Sequence, residues 1–154
     1  MKQPSLVADL AKSMSGSTKL PCTIKCRLGV DEFDSYEFVR DFVNTVSTKG
    51  NIKHFIIHAR KAHLKGLNPS ENRNIPPLKY DLVYQLQNDF PTTKFTLNGG
   101  VRTVAQAITL IEEHNLNGCM IGRGAYEDPW EMRRVDPMVY HHPSHRRATG
   151  HETC

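Results

Sequence analysis

The chain has 154 residues, 38% of them hydrophobic, the size of one ordinary domain that can bury a core without disulfides or a metal. Its 20 Lys plus Arg against 16 Asp plus Glu leave a formal net charge of +4, compatible with a nucleic-acid partner but weak as an argument for one. Apolar runs reach only about five residues, too short for a bilayer, and Cys22, Cys26, Cys119 and Cys154 lack zinc spacing and follow no secretory signal, which favours a reduced, intracellular chain with no membrane partner.

In chain order, "SLVADLAKSM" predicts a helix from Ser5, whose hydroxyl can cap it, with Leu6, Leu10 and Met14 at helical spacing. "CTIKC" (22–26) predicts a short strand after Pro21. "DSYEFVRDFVNTV" offers Asp34 or Ser35 as a cap and then Phe38, Phe42 and Val46 on one stripe. A strand "HFIIHA" (54–59), a helix "YDLVYQLQNDF" and a strand "KFTLN" (94–98) follow. "TVAQAITLIEEH" predicts a helix capped by Thr103, "GCMIG" (118–122) a fourth strand, and "PWEMRRV" a short helix with Pro129 in its first turn.

Short strands alternating with helices of about ten to twelve residues are βα units, which pack as a parallel sheet with right-handed crossovers. Four such units fit half of a closed eight-stranded barrel or a small open sheet, and length favours the open sheet, because a full barrel needs roughly 250 residues. The polar residues favour the barrel. Each strand ends in them, in "KCRLG", "HARKA", "NGG" and "IGR", and a barrel gathers such clusters around one site at the carboxyl edge. The last two clusters match a barrel phosphate site: Gly99, Gly100 and Gly122 let backbone approach a phosphate monoester, and Arg123 supplies charge. The alternative is that these glycines serve tight turns only.

From His58 to Lys79, Arg60, Lys61, Lys65, Arg73 and Lys79 face a single acid, Glu71, so five positives less one negative give this stretch a surplus of four, equal to that of the whole chain. Such a run is either a solvated connection or a surface that tracks phosphates. About 19 residues without clear structure exceed what a compact connection needs, which points to a working loop.

The stretches "TIKCRLGVDEFDSYEF", "FIIHARKAHLKGLNPSENRNIPPLKYDLVYQL", "TLNGGVRT" and "MIGRGAYEDPW" together resemble the tRNA-dihydrouridine synthase family in its bacterial DusA-like branch, from about Leu20 to Val135. The resemblance implies an α/β fold, a partial TIM (β/α)8 barrel whose four units are equivalent to strands 5 to 8. Residues 1–135 would form the FMN-binding barrel portion and 136–154 a disordered tail. It further implies FMN as cofactor, NADPH as reductant and tRNA as substrate, with the 5,6 double bond of particular uridines reduced. A cytoplasmic enzyme is implied, with an organelle left open.

Residue by residue, Lys25 resembles the lysine near the flavin N1 and C2 carbonyl, where a cation would favour the anionic reduced ring. His58 resembles the histidine at the flavin edge. Asn98, Gly99 and Gly100 match the "NGG" of the family, and Gly122 with Arg123 its "GR". Arg73 matches a residue associated with tRNA contact, and Lys65 lies in the same basic loop. Arg60 faces either the tRNA or a carboxylate.

The departures carry equal weight. The family's "N-x-G-C-P" motif, whose cysteine is the general acid, has no counterpart, so no catalytic residue is assigned. Cys26 and Cys119 read as core packing. Four histidines and Cys154 in "HHPSHRRATGHETC" could bind metal, but no metal site is expected. The isolated fragment is expected to be inactive, exposing two sheet edges and apolar inner layers unless the missing barrel half or self-association covers them. Alternative functions are a non-catalytic RNA-binding remnant and another FMN or sugar-phosphate barrel enzyme.

Overall fold

In a computed structural model, residues 1–141 are described. Four parallel strands, β1 (Ile24–Arg27), β2 (His54–His58), β3 (Lys94–Asn98) and β4 (Gly118–Met120), form one sheet in the order β1-β2-β3-β4. Between and around them run α1 (Pro4–Ser17), α2 (Tyr36–Lys49), α3 (Glu71–Asn74), α4 (Tyr80–Asp89), α5 (Val104–His114), α6 (Arg123–Glu127) and α7 (Val135–Val139). This is the arrangement of about four βα units of a (β/α)8 barrel.

Local chemistry sets the element boundaries. The Ser35 hydroxyl accepts from the Phe38 N–H at 3.2 Å and starts α2, and Thr103 accepts from Gln106 at 3.1 Å and starts α5. Helix α5 stops at Asn115, which takes the left-handed conformation at φ 51. Helix α1 differs from expectation at its start: Pro4 opens it and no side chain caps it, so Ser5 lies inside the first turn.

Alternation along the strands divides the sheet into two faces. Phe55 and Ile57 of β2 and Phe95 and Leu97 of β3 are fully buried against Val39, Phe42, Val43 and Val46 of α2 and Val83 and Leu86 of α4. Phe55 and Phe95 stack with centroids 6.0 Å apart. The opposite face carries two registered rows, Lys25–Ile56–Thr96–Gly118 and Arg27–His58–Asn98–Met120. That face is mainly polar, with only Ile56 and Met120 apolar in these rows, so the expected apolar inner layers are absent from it. Helix α1 presents apolar side chains outward, with Leu6, Leu10 and Met14 at 51%, 57% and 60% exposed, because it packs through Ala8 and Ala11; Leu20, Leu64, Ile75, Tyr126 and Trp130 are exposed elsewhere.

Beside the free edge of β1 a second, apolar cleft of about 670 Å³ runs beneath α1, lined in part by Leu6, Leu10, Ile24 and Phe42. At the other end the sequence predicted a tail from 136, but Asp136 to Val139 continue in α7; the remainder from 142 lies outside the described residues. No helix among the described residues is long and apolar enough to cross a membrane.

Candidate functional site

The carboxyl ends of all four strands open into one cleft of about 540 Å³, within the roughly 300–1,000 Å³ usual for small-molecule sites. Among the described residues it is lined by five cations, Lys25, Arg27, Arg73, Arg102 and Arg123, and by no carboxylate. Of these, only Arg102 is ion-paired with a described carboxylate, that of Glu127. A cleft of this kind attracts anions before any contact forms.

The glycine breaks form one wall. Gly99 and Gly100 have φ of +108 and +76, values that side-chain-bearing residues rarely adopt. Tyr80 donates its hydroxyl hydrogen to the Gly99 carbonyl, and Asn98 Nδ2 donates to the Met120 carbonyl at 3.2 Å, tying the end of β3 to the end of β4. At Gly122 nothing lies within 4 Å of where a Cβ would be, so backbone is open to the cleft. Arg123 follows directly, opening α6, and donates from Nη1 to Asn74 Oδ1 at 2.7 Å.

His58 closes the back of the cleft and is 8% exposed. Burial, with Arg27, Lys25, Arg60 and Arg123 adding like charge, pushes its pKa down to about 4, so the ring is neutral at pH 7. Lys25 stands exposed one row nearer the strand starts, in register with Ile56. Burial pushes the Cys26 thiol up to about 12 and the Cys119 thiol up to about 11, so both side chains stay protonated among the core.

The basic loop is less free than its composition implies. Asn72 accepts from the His63 N–H at 2.7 Å and donates to the carbonyls of His63 and Leu67, folding the loop onto itself around α3. Arg27 donates from Nη1 to the carbonyls of Lys61 and Asn72 at 2.9 and 2.8 Å, and so anchors that loop to β1. Lys61 is spent on Asp34 at 2.9 Å. Arg60 is half-buried and pairs with no carboxylate among the described residues: its Nη1 donates to the carbonyls of Asn74 and Pro76 in the loop. Arg73 and Lys65 remain exposed, Arg73 on the cleft rim and Lys65 away from it.

Thus Lys25, His58, Asn98, Gly99, Gly100, Gly122, Arg123 and Arg73 converge on one cleft, and Arg60 and Lys65 do not line it. Sequence reasoning missed Arg27, Asn72 and Tyr80. Period-two alternation from Lys25 would have placed Arg27 on the same face; Asn72 bonds to backbone five and nine residues away within an irregular loop and Tyr80 to the carbonyl 19 residues on, neither following a periodic pattern.

Comparison with known proteins agrees with this geometry. The dihydrouridine synthase (Dus) family profile matches residues 1–152. The chain is 47% identical over 140 residues to the tRNA-dihydrouridine(20/20a) synthase of Escherichia coli strain K12, covering 91% of this chain and 40% of that protein. It is 49% identical over 142 residues to the enzyme of the same name from Yersinia pestis, and 47% identical over 142 residues to that of Vibrio vulnificus, covering 40% and 42% of those proteins. The chain therefore spans about two fifths of the length of these curated relatives. With the family profile running almost from end to end and the sheet supplying the matching βα units, the chain belongs to the dihydrouridine synthase family.

Proposed function

We propose that this protein carries the flavin-phosphate portion of a tRNA-dihydrouridine synthase, an FMN-dependent, NADPH-using oxidoreductase that converts uridine to 5,6-dihydrouridine in tRNA. The observation that supports it most is the cleft itself, where, among the described residues, five cations and no carboxylate surround the two glycine breaks. Its donor set fits a phosphate monoester with an attached planar ring. In this reading residues 1–135 supply four barrel units equivalent to strands 5 to 8, and the remaining strands come from a further segment or from a second copy. They would cover the β1 edge and the apolar cleft under α1. The names of the 20/20a relatives support uridines at those positions as the substrates, and the reading takes the enzyme to act in the cytoplasm.

Asn98, Gly99, Gly100, Gly122 and Arg123 hold the phosphate; backbone amides approach it where no Cβ intervenes, and Arg123 adds charge-assisted hydrogen bonds. Lys25 and His58 face the ring, Lys25 as a cation near its carbonyl edge and His58 as a neutral imidazole. Arg73 and Lys65 contact tRNA phosphates, while Arg60 serves the RNA surface by holding its loop from below. When bound, FMN supplies the hydride that reduces the uracil ring. The flipped-out uridine is needed because a stacked base cannot reach the cleft.

A non-catalytic RNA-binding remnant is the second reading. The placement of Cys26 and Cys119 in the core, on the sheet face opposite the cleft, favours it, since neither thiol can reach a base bound there. Adding FMN to the labelled chain and following amide NMR signals tests the main proposal. Shifts centred on Gly99, Gly100, Gly122 and Arg123 are expected; shifts elsewhere, or none, would remove it.

A further inference from the structure

We infer that Asn74 is a positioning residue for anion binding, holding the Arg123 guanidinium at the glycine breaks without touching the ligand. The inference rests on the phosphate site proposed above. Asn74 is the last residue of α3, in the basic loop, and Arg123 opens α6 on the far side of the cleft. Their side chains meet at 2.7 Å, Arg123 Nη1 donating to Asn74 Oδ1.

What makes Asn74 a fixed point is that its other polar groups are engaged. Its Nδ2 donates to the Ser70 carbonyl at 3.0 Å, one turn back along α3, which leaves Oδ1 directed outward. Its own carbonyl accepts from Arg60 Nη1 at 3.2 Å, and Arg60 also holds the Pro76 carbonyl. Asn74 is therefore pinned through Arg60 to the segment that follows β2, and Arg123 is pinned to Asn74.

The geometry then favours anion binding in a specific way. A guanidinium carries five N–H donors in a rigid fork, and Asn74 occupies one side of it. The remaining donors bond to no other described residue and lie with Gly99, Gly100 and Gly122 in the lining of the cleft, which Asn74 does not join. A free arginine loses rotamer freedom when it closes on a phosphate. One already held loses less, and the difference appears as affinity. The same bond joins the loop that carries Arg73 to the phosphate wall, so flavin phosphate and RNA-facing loop share one anchor.

The experiment is a double-mutant cycle read with two ligands. Purified chain, Asn74→Ala, Arg123→Ala and the double variant are titrated with FMN and with riboflavin, which lacks the phosphate. Asn74→Ala should weaken FMN by about threefold to tenfold and leave riboflavin unchanged; in the Arg123→Ala background it should have no further effect on FMN. Equal losses for FMN and riboflavin would show a merely structural role and overturn the inference, as would an undiminished Asn74 effect without Arg123. If the unsubstituted chain binds FMN no tighter than riboflavin, or binds neither, the phosphate site itself falls and takes this inference with it.

Discussion

The imidazole of His58 lies against the Cα of Gly99, so close that a Cβ built on Gly99 would fall 2.5 Å from Cδ2 and 2.9 Å from Nε2. Because Gly99 also holds φ at +108, Gly99→Ala meets both a ring that cannot retreat and an unfavourable backbone. The expected loss is about 1–3 kcal/mol of stability. Gly122→Ala is the control, since its φ is −99 and nothing lies within 4 Å. Urea denaturation should separate the two; equal midpoints would mean that His58 moves aside freely.

His58 also makes stability depend on pH in a definite direction. Its folded pKa, pushed down to about 4, lies below the ordinary value of 6.5, so on acidification the unfolded chain takes up the proton first. The stabilisation is fully present above pH 6.5 and is lost as pH falls toward 4. Unfolding midpoints at pH 7 and pH 5 should differ more for the natural chain than for His58→Gln. An imidazole NMR titration with a midpoint near 6.5 would contradict the burial on which this depends.

Arg123→Ala should weaken FMN more than it perturbs the fold. Charge-assisted hydrogen bonds to phosphate are worth roughly 1.5–3 kcal/mol, which corresponds to about tenfold to a hundredfold in affinity. Flavin titration with thermal melts of the same samples reads both quantities. Equal affinities would leave the phosphate to the backbone amides alone.

The ease with which these residues were found differs for physical reasons. "KFTLN" reads as a strand because its apolar residues alternate with polar ones, "HFIIHA" because it is a short run of aromatic and β-branched residues, and β3 spans Lys94–Asn98 as expected. Caps at Ser35 and Thr103 were equally local. The face of α1 was not: Leu6, Leu10 and Met14 give the obvious stripe, yet Ala8 and Ala11 are buried. A Cβ on Gly50 would lie 3.1 Å from Ala8 Cα, a close backbone approach that explains why small residues win there. The basic loop failed in the same way, because Arg60 and Lys61 find partners 14 to 30 residues away in sequence, and a charge run alone reads as solvated.

Loop and flavin contributions should separate by mutation. Arg73→Ala and Lys65→Ala are expected to lower tRNA affinity and leave FMN affinity unchanged, and binding should fall as salt rises through counterion release. Arg27→Ala should act differently, freeing the Lys61 and Asn72 carbonyls and raising hydrogen exchange across the loop. Unchanged RNA binding in both loop variants at fixed ionic strength would return the stretch to a solvated connection.

The chain alone should not reduce tRNA. Protonating the reduced uracil carbon needs a general acid, and losing one costs typically ~10²- to 10⁴-fold in rate. The sequence contains no "N-x-G-C-P" motif, and Cys26 and Cys119 pack into the core on the sheet face opposite the cleft, out of reach of a base bound there. On the face bearing Lys25, Arg27, His58 and Asn98, Lys25 is exposed and Arg27 and Asn98 are half-buried, so water is not excluded from the site. Purified chain incubated with FMN, NADPH and unmodified tRNA should yield no dihydrouridine, with the Escherichia coli relative as positive control. Weak FMN binding should persist, because "NGG" and "GR" lie on the adjacent strands β3 and β4. Clear turnover would mean either that a cysteine of this chain serves as the acid or that a second copy completes the barrel. Substituting each cysteine in turn and measuring mass by light scattering would distinguish the two.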